Sequence, residues 1–212
     1  AQTFEDPFTG QTKTRNALLG LIKLEPFEKN VVIPHEKTLD KPKQDRLNLI
    51  QETKATFSPI FGLYDDPEMQ IRSAYAPWFG KPADFEAKDD QGVEHKLWVI
   101  EEGKATQQIH AQMSQRSVYI ADGHHRAASS AKVAQKCKAE NNKHDGTEEY
   151  NFFLSVLFPD NQLNIIDYNR VLTGLNGLSS EAFLQKVAEN FDIQAVANAY
   201  RPEKPYQFGM YL

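Results

Sequence analysis

Apolar residues occur along this chain in short runs that polar stretches separate. Runs of this length that are rich in Val, Ile, Leu, Phe and Tyr are typical of β-strands. The run at 152–157 is dense enough to predict a strand that is buried on both faces. The pattern predicts strands at 17–24, 59–64, 96–101, 117–121, 150–158 and 163–167.

Apolar residues spaced three and four apart predict helices among these strands. Asp40 is expected to cap a helix that has Pro42 in its first turn. Further helices are predicted at 106–115 and 125–140, and Ser179 or Ser180 is expected to cap a last one. The helices do not alternate regularly with the strands, so the expected fold is mixed α+β, with a mixed sheet and flanking helices.

Two stretches have loop-like composition. The stretch 64–82 is rich in proline and aromatic residues and is predicted to be a loop packed on the surface, over a site. The stretch 139–147 combines charges, two asparagines and Gly146, and is the one candidate for a domain boundary.

Composition narrows the class of protein. The chain has 212 residues, with 24 Lys and Arg against 29 Asp and Glu, for a formal net charge of −5. This balance argues against nucleic acid as a partner. Cys137 is the only cysteine, which excludes an internal disulfide and a multi-cysteine metal site. We expect a cytoplasmic protein without a membrane partner, because no apolar run approaches the roughly 18 residues that cross a bilayer.

The first residue, Ala1, is not an initiator methionine. We therefore expect residues 1–212 to be a fragment of one larger α+β protein. The chain is also compatible with a homodimer.

The segment 117–128 predicts a strand, a tight glycine turn and a helix, with Asp122, Gly123, His124, His125 and Arg126 at the turn. Such a turn suits an anion, because helix-start amides carry partial positive charge and arginine offers a fork of donors. The histidines add donors or a titratable group, and Asp122 can orient an imidazole, accept from a substrate hydroxyl or hold magnesium. Asp122 as a simple helix cap is the alternative.

No protein-bound metal site is predicted at the turn. His124 and His125 are adjacent, and adjacent helical residues point about 100° apart. They therefore do not chelate a metal together as residues at i and i+4 do.

A second polar cluster follows the apolar residues 31–33 and contains His35, Glu36 and Thr38. Glu36 is a candidate general base, with His35 beside it. The alternative is a solvated loop. Arg46 in the following helix is a candidate for an anion pocket or for a surface pair with Asp45 or Glu52, and Arg170 after the strand at 163–167 is a candidate for lining a cleft.

The segments 32–38, 43–47, 58–64 and 119–126 together resemble an uncharacterised bacterial family often labelled SpoOJ/ParA/ParB/repB-like. Its Gly-His-His-Arg turn is similar to the phosphate-binding loop of the ParB and sulfiredoxin superfamily, whose members bind CTP or ATP and include an ADP-dependent free-serine kinase. The resemblance implies a ParB/sulfiredoxin-like nucleotide-binding core. It also implies that Gly123, His124, His125 and Arg126 bind phosphate beside Asp122, with Glu36 as a base.

This resemblance sets the expected function. The first expectation is a small-molecule phosphotransferase that binds ATP, ADP or CTP, with Mg²⁺, at the 122–126 turn. The alternatives are a non-catalytic nucleotide-binding switch and a ParB-like chromosome-partitioning factor. Sulfinic-acid repair is not expected, because His124 stands where sulfiredoxin has its catalytic cysteine.

Overall fold

Nine strands and five helices are present in the residues that the computed structural model describes, 1–7, 9–163 and 168–212. The strands are β1 (Gln2–Glu5), β2 (Thr12–Arg15), β3 (Leu18–Lys23), β4 (Val32–Ile33), β5 (Ile60–Tyr64), β6 (Phe85–Lys88), β7 (Glu94–Leu97), β8 (Val118–Asp122) and β9 (Phe152–Pro159). The helices are α1 (Asp40–Thr53), α2 (Gln70–Tyr75), α3 (Lys104–Met113), α4 (His124–Glu140) and α5 (Ser180–Ala188). The predicted mixed α+β class is confirmed.

A mixed sheet with the strand order β3-β9-β5-β8-β4 holds the main core. β9 pairs in parallel with β5 and antiparallel with β3, and β8 pairs in parallel with β4 and antiparallel with β5. Because β4 and β8 are parallel neighbours, their carboxyl ends meet at one edge of the sheet. The loop after β4 and the turn after β8 therefore come together there.

Alternate residues of the central strands lie on one buried face of this sheet. Ile60, Ile120 and Phe153 form one buried cluster with Val32 and with Ala127 of α4. A second cluster joins Tyr64, Val118 and Leu157 to Ile71 and Tyr75 of α2. Helix α4 also packs on α1, where buried Ser129 donates from its hydroxyl to the Lys43 carbonyl at 2.8 Å.

A second, four-stranded sheet has the order β2-β1-β7-β6 and is antiparallel throughout. The sequence pattern does not predict β1, β2 or β6. Every residue of β2 and β6 is exposed. β2 contains no apolar residue, and β6 alternates Phe85 and Ala87 with charged residues over only four positions, the shortest alternation that indicates a strand. The strand predicted at 96–101 is present as β7, but it is shifted toward the amino end and stops at Leu97.

Two local predictions are wrong. The stretch 64–82 is not a loop over a site: it contains β5's last residue, helix α2 and a 3-10 turn at Ala76–Gly80, and its Ile71 and Tyr75 are core residues. Asp40 does not cap α1. Leu39 occupies the cap position, and Asp40 lies inside the helix, where its Oδ1 is 2.9 Å from Lys43 Nζ.

The remaining strands 17–24, 59–64, 117–121 and 150–158 correspond to β3, β5, β8 and β9, and the helices at 106–115 and 125–140 to α3 and α4. A strand is also predicted at 163–167, but residues 164–167 lie outside the described part of the chain.

The chain divides into two compact units, Ala1–Leu163 and Asn164–Leu212. The second unit contains α5, whose cap Ser179 accepts from the Ala182 amide at 3.2 Å, as the sequence predicts. The stretch 139–147 lies inside the first unit, where Glu148 accepts from the amides of Asp145 and Gly146. In the described part of the chain, none of the helices is both long and apolar enough to cross a membrane.

Candidate functional site at the amino end of α4

The turn between β8 and α4 is made by Gly123, which has φ 98° and ψ 24°. This left-handed conformation is costly for residues with a side chain. The space above Gly123 is also occupied, because a Cβ built there would lie 2.9 Å from Nη2 of Arg126. Both the conformation and the close guanidinium therefore favour glycine at this position.

The amino end of α4 presents unpaired amides. The Ala127 amide bonds to the Gly123 carbonyl at 2.9 Å, but within the described residues no acceptor bonds to the amides of His124, His125 and Arg126. The residue at the cap, Gly123, has no side chain that could accept from them. These three donors, together with the helix dipole, are suited to an anionic group.

Arg126 ties the turn to the loop before β5. Its Nη2 donates to Asp122 Oδ2 at 2.6 Å, and its Nη1 donates to the Ser58 hydroxyl at 2.9 Å and to the Pro59 carbonyl at 2.6 Å. The guanidinium is mostly buried by these contacts, while the Asp122 side chain is 74% exposed. Phosphate binding by Arg126 stays a prediction, and it can use only the N–H groups that these bonds leave over.

The two turn histidines hold the loop that follows β4. His124 Nε2 accepts from the backbone amide of His35 at 3.3 Å, and His125 Nε2 accepts from the amide of Leu39 at 3.1 Å. The two ends of this loop, which carries Glu36, are therefore fixed to the start of α4. Leu39 is also the residue at the cap of α1.

These hydrogen bonds also determine where the ring protons lie. Because His124 Nε2 accepts, its proton is on Nδ1, 3.7 Å from Glu36 Oε2. His35 donates from Nδ1 to the Ile120 carbonyl at 2.8 Å, which leaves its Nε2 outside that bond, 3.8 Å from Glu36 Oε1. The side chains of His35 and Glu36 are 58% and 63% exposed. Two basic atoms are thus open to solvent beside the turn.

His124 is held in its neutral form. It is 5% exposed, and its ring packs edge-on against that of His35 with 4.5 Å between the centroids. Burial is the main cause that lowers the pKa of His124 below its ordinary value of 6.5, and the nearby His35 and His125 lower it further. Glu36 and Asp122 act in the opposite direction without cancelling this effect.

The lowered pKa of His124 predicts a loss of stability in acid. The unfolded chain takes up a proton on this ring near pH 6.5, whereas the folded protein resists it, so stability falls as the pH drops from about 6.5 toward the lowered folded pKa. Denaturant titrations at several pH values should show a smaller acid loss for His124→Gln. The exposed His110→Gln is the control and should retain the full loss. An unchanged pH dependence in His124→Gln would contradict the assignment.

The other predicted pocket residues are Thr38, Arg46 and Arg170. Thr38 is half-buried next to Leu39. Arg46 on α1 has its Nε 3.6 Å from Asp45 Oδ2, the surface pair that the sequence offered as its alternative. Arg170 belongs to the second unit, where its guanidinium lies 4.5 Å from the centroid of the Tyr168 ring.

The structure therefore brings together His35, Glu36 and the turn residues 122–126. Sequence reasoning missed Ser58 and Pro59 as partners of Arg126, although both belong to the segments that carry the family resemblance. Within residues 1–7, 9–163 and 168–212, no group of three or more His, Cys, Asp or Glu side chains is placed to hold a metal ion.

The fold and the site define a mixed α+β protein with a histidine and carboxylate cluster at a strand-turn-helix junction. The chain belongs to the family described as a protein of unknown function, DUF1015, whose model matches residues 1–212. Comparisons with curated proteins and with solved structures give no match.

Proposed function

We propose that the protein binds a nucleotide or another phosphorylated small molecule at the amino end of α4 and transfers a phosphoryl group from it to a small hydroxyl compound. The observation that carries this proposal is one juxtaposition. Three unpaired amides, those of His124, His125 and Arg126, start a helix directly beside the exposed bases Glu36 and His35. The amides suit a phosphate, and the two side chains suit the proton of an attacking hydroxyl.

The phosphate half of the proposal rests on the backbone. Gly123 has no Cβ, and three successive amides follow it without an internal acceptor. Phosphate oxygens accept from such groups at helix starts, and the dipole of the 17-residue α4 adds a favourable potential. The guanidinium of Arg126 lies directly over Gly123 and adds positive charge beside these amides.

The transfer half of the proposal needs a base near the attacking oxygen. In the proposed step, the acceptor hydroxyl oxygen forms a bond to the terminal phosphorus while the bond from that phosphorus to the bridging oxygen breaks. The bridging oxygen leaves with the electron pair, as part of the shortened nucleotide. Glu36 takes the hydroxyl proton, and His35 Nε2, 3.8 Å from Glu36 Oε1, is the second basic atom within reach. Positioning and charge stabilisation then provide most of the rate.

Magnesium fits this site as an ion that the nucleotide phosphates coordinate, rather than as one that protein ligands alone coordinate. Mg²⁺ commonly uses one or two carboxylates together with substrate phosphates and water. Asp122 is exposed and uses only Oδ2 for Arg126, so Oδ1 would hold the ion. The ion would neutralise phosphate charge there.

The similarity of the 122–126 turn to the ParB and sulfiredoxin phosphate loop supports the same proposal. His124, at the position of the sulfiredoxin cysteine, is buried and accepts from a backbone amide. Its place in this site is therefore that of a positioning residue that holds the Glu36 loop.

Exchange of Glu36 for glutamine should abolish phosphoryl transfer and leave nucleotide affinity largely intact, because the amide keeps the shape of the side chain but cannot take a proton. We expect a fall in turnover of at least about 100-fold. The measurements are turnover of ATP, ADP, CTP and GTP with small hydroxyl compounds and calorimetric titration of the same nucleotides, with and without Mg²⁺. The exposed Glu102→Gln is the matched control and should change neither quantity.

The outcomes separate the alternatives. Binding that depends on Gly123 and Arg126 without any turnover would overturn the transferase and leave a nucleotide-dependent switch. Affinity for duplex DNA that falls steeply with salt would favour a partitioning factor instead. If neither nucleotides nor inorganic phosphate bind, the whole proposal is wrong.

A further inference from the structure

A cleft of about 630 Å³ lies between the two sheets of the first unit, apart from the α4 amides. Leu19, Phe61, Val156 and Phe158 line it from the five-stranded sheet, and Phe85 and Leu97 from the four-stranded sheet. Its volume falls within the usual range for small-molecule sites.

The walls of this cleft are mostly apolar and partly open to solvent. Leu19, Phe85 and Leu97 are 51%, 64% and 40% exposed. Apolar side chains that gather around one concavity while still exposed are typical of a ligand site rather than of scattered surface residues.

Arg15 of β2 brings a positive charge to this apolar cleft. Its Cζ lies 5.3 Å from the centroid of the Phe158 ring and 5.4 Å from that of Phe4, and its Nε donates to Gln2 Oε1 at 2.7 Å. The surrounding protein removes part of its water and lowers the pKa of Arg15, although an arginine stays charged at neutral pH. The contacts of the Arg15 guanidinium are therefore all with neutral groups.

The other charged groups of the cleft have partners. Lys96 Nζ lies 3.4 Å from Glu86 Oε1, and His95 Nε2 lies 3.0 Å from Asp89 Oδ2. Among the described residues, no carboxylate lies within ion-pair distance of Arg15. Nη1 and Nη2 of Arg15 thus form a fixed fork of donors with no anion on it.

We propose that this cleft binds a small organic carboxylate, with its aromatic or branched apolar body between the two sheets and its carboxylate on the Nη1 and Nη2 fork of Arg15. A planar guanidinium that is already held in place matches the two oxygens of a carboxylate. Glu86, the one carboxylate among the described residues that line the cleft, is paired with Lys96 and so does not oppose a negatively charged ligand.

The probe for this proposal is 4-phenylbutyrate, and the comparison ligand is 4-phenylbutan-1-ol, which has the same body without the charge. Calorimetric titration should give saturable binding of the carboxylate, roughly tenfold or more tighter than that of the alcohol. Arg15→Gln should weaken carboxylate binding by roughly 10- to 100-fold and leave the alcohol unchanged. Arg15→Lys keeps the charge and loses the fork, so its affinity for the carboxylate should lie between that of the unsubstituted protein and that of Arg15→Gln.

Two further variants test the location. Lys81→Gln is the matched control, because Lys81 also lies over an aromatic ring, that of Trp78, but is not among the residues that line the cleft, and it should not change binding. Ala87→Phe, on the exposed wall of the cleft, should fill the space and abolish binding of both probes. Equal affinity for acid and alcohol, absence of saturable binding, or binding that survives both Arg15→Gln and Ala87→Phe would overturn the proposal.

Discussion

Exchange of Asp66 for alanine is expected to lower the free energy of unfolding by about 3 kcal/mol, because it removes a buried charge from several partners at once. Asp66 is 1% exposed. Its carboxylate accepts from the amides of Ile71 and Arg72 at 3.2 and 2.9 Å, and Arg116 Nη2 lies 3.9 Å away. Without it, two amides at the start of α2 lose their acceptor, and the mostly buried Arg116 guanidinium loses its nearest carboxylate while keeping its bonds to Asp65 and Gln112.

The expected fall in melting temperature is roughly 6–12 °C for a chain of this size. The neighbouring Asp65→Ala is the matched control. Asp65 is exposed and uses its backbone carbonyl, not its side chain, to accept from Arg116 at 2.9 Å. Its exchange should cost less than about 0.5 kcal/mol. Equal losses for the two variants would show that the buried carboxylate is not what stabilises α2.

Exchange of Gly123 for alanine should both destabilise the protein and weaken binding at the amino end of α4. The alanine would have to adopt φ 98°, and its Cβ would lie 2.9–3.2 Å from the Arg126 guanidinium. We expect a loss of about 2–3 kcal/mol, from backbone strain and from displacement of Arg126. The measurements are denaturant unfolding and titration with nucleotide.

Gly146 separates these two causes. It has a similar φ of 93°, but a Cβ there meets nothing within 4 Å, so Gly146→Ala carries the strain alone. In an Arg126→Ala background, Gly123→Ala should cost no more than Gly146→Ala, since the displaced group is gone. If Gly123→Ala lowers the free energy of unfolding as much in the Arg126→Ala background as in the unsubstituted protein, the close approach of the guanidinium does not contribute to the loss.

The hydrophobic pattern is sufficient to predict the core strands but not the polar ones. β5, β8 and β9 alternate or run through apolar residues because they are buried, and the sequence predicts all three. β2, with the sequence Thr-Lys-Thr-Arg, is exposed along its whole length and forms only because β1 offers backbone partners. Helix α2 lies in a proline-rich stretch, and its core role depends on contacts of Ile71 and Tyr75 that local pattern does not encode.

At the candidate site, the sequence identifies some of the residues that come together but not what they do to one another. The strand-turn-helix pattern predicts Gly123 at the turn. Two of the partners of Arg126, Ser58 and Pro59, are 68 and 67 residues away in the chain, and no local signal reports them. Likewise, two adjacent histidines look equivalent in sequence, whereas His124 accepts from the start and His125 from the end of the same distant loop.

Pro59 takes part in two of the features described above. Its carbonyl accepts from Arg126, and the residue also lines the cleft between the sheets. A ligand in the cleft that shifts Pro59 would change the hydrogen bond between its carbonyl and Arg126. The affinity of the α4 amides for phosphate would then change as well. Thermodynamic reciprocity then requires phosphate at α4 to change affinity in the cleft by the same factor. Through one proline carbonyl, a ligand bound at either site would thus change the affinity of the other site.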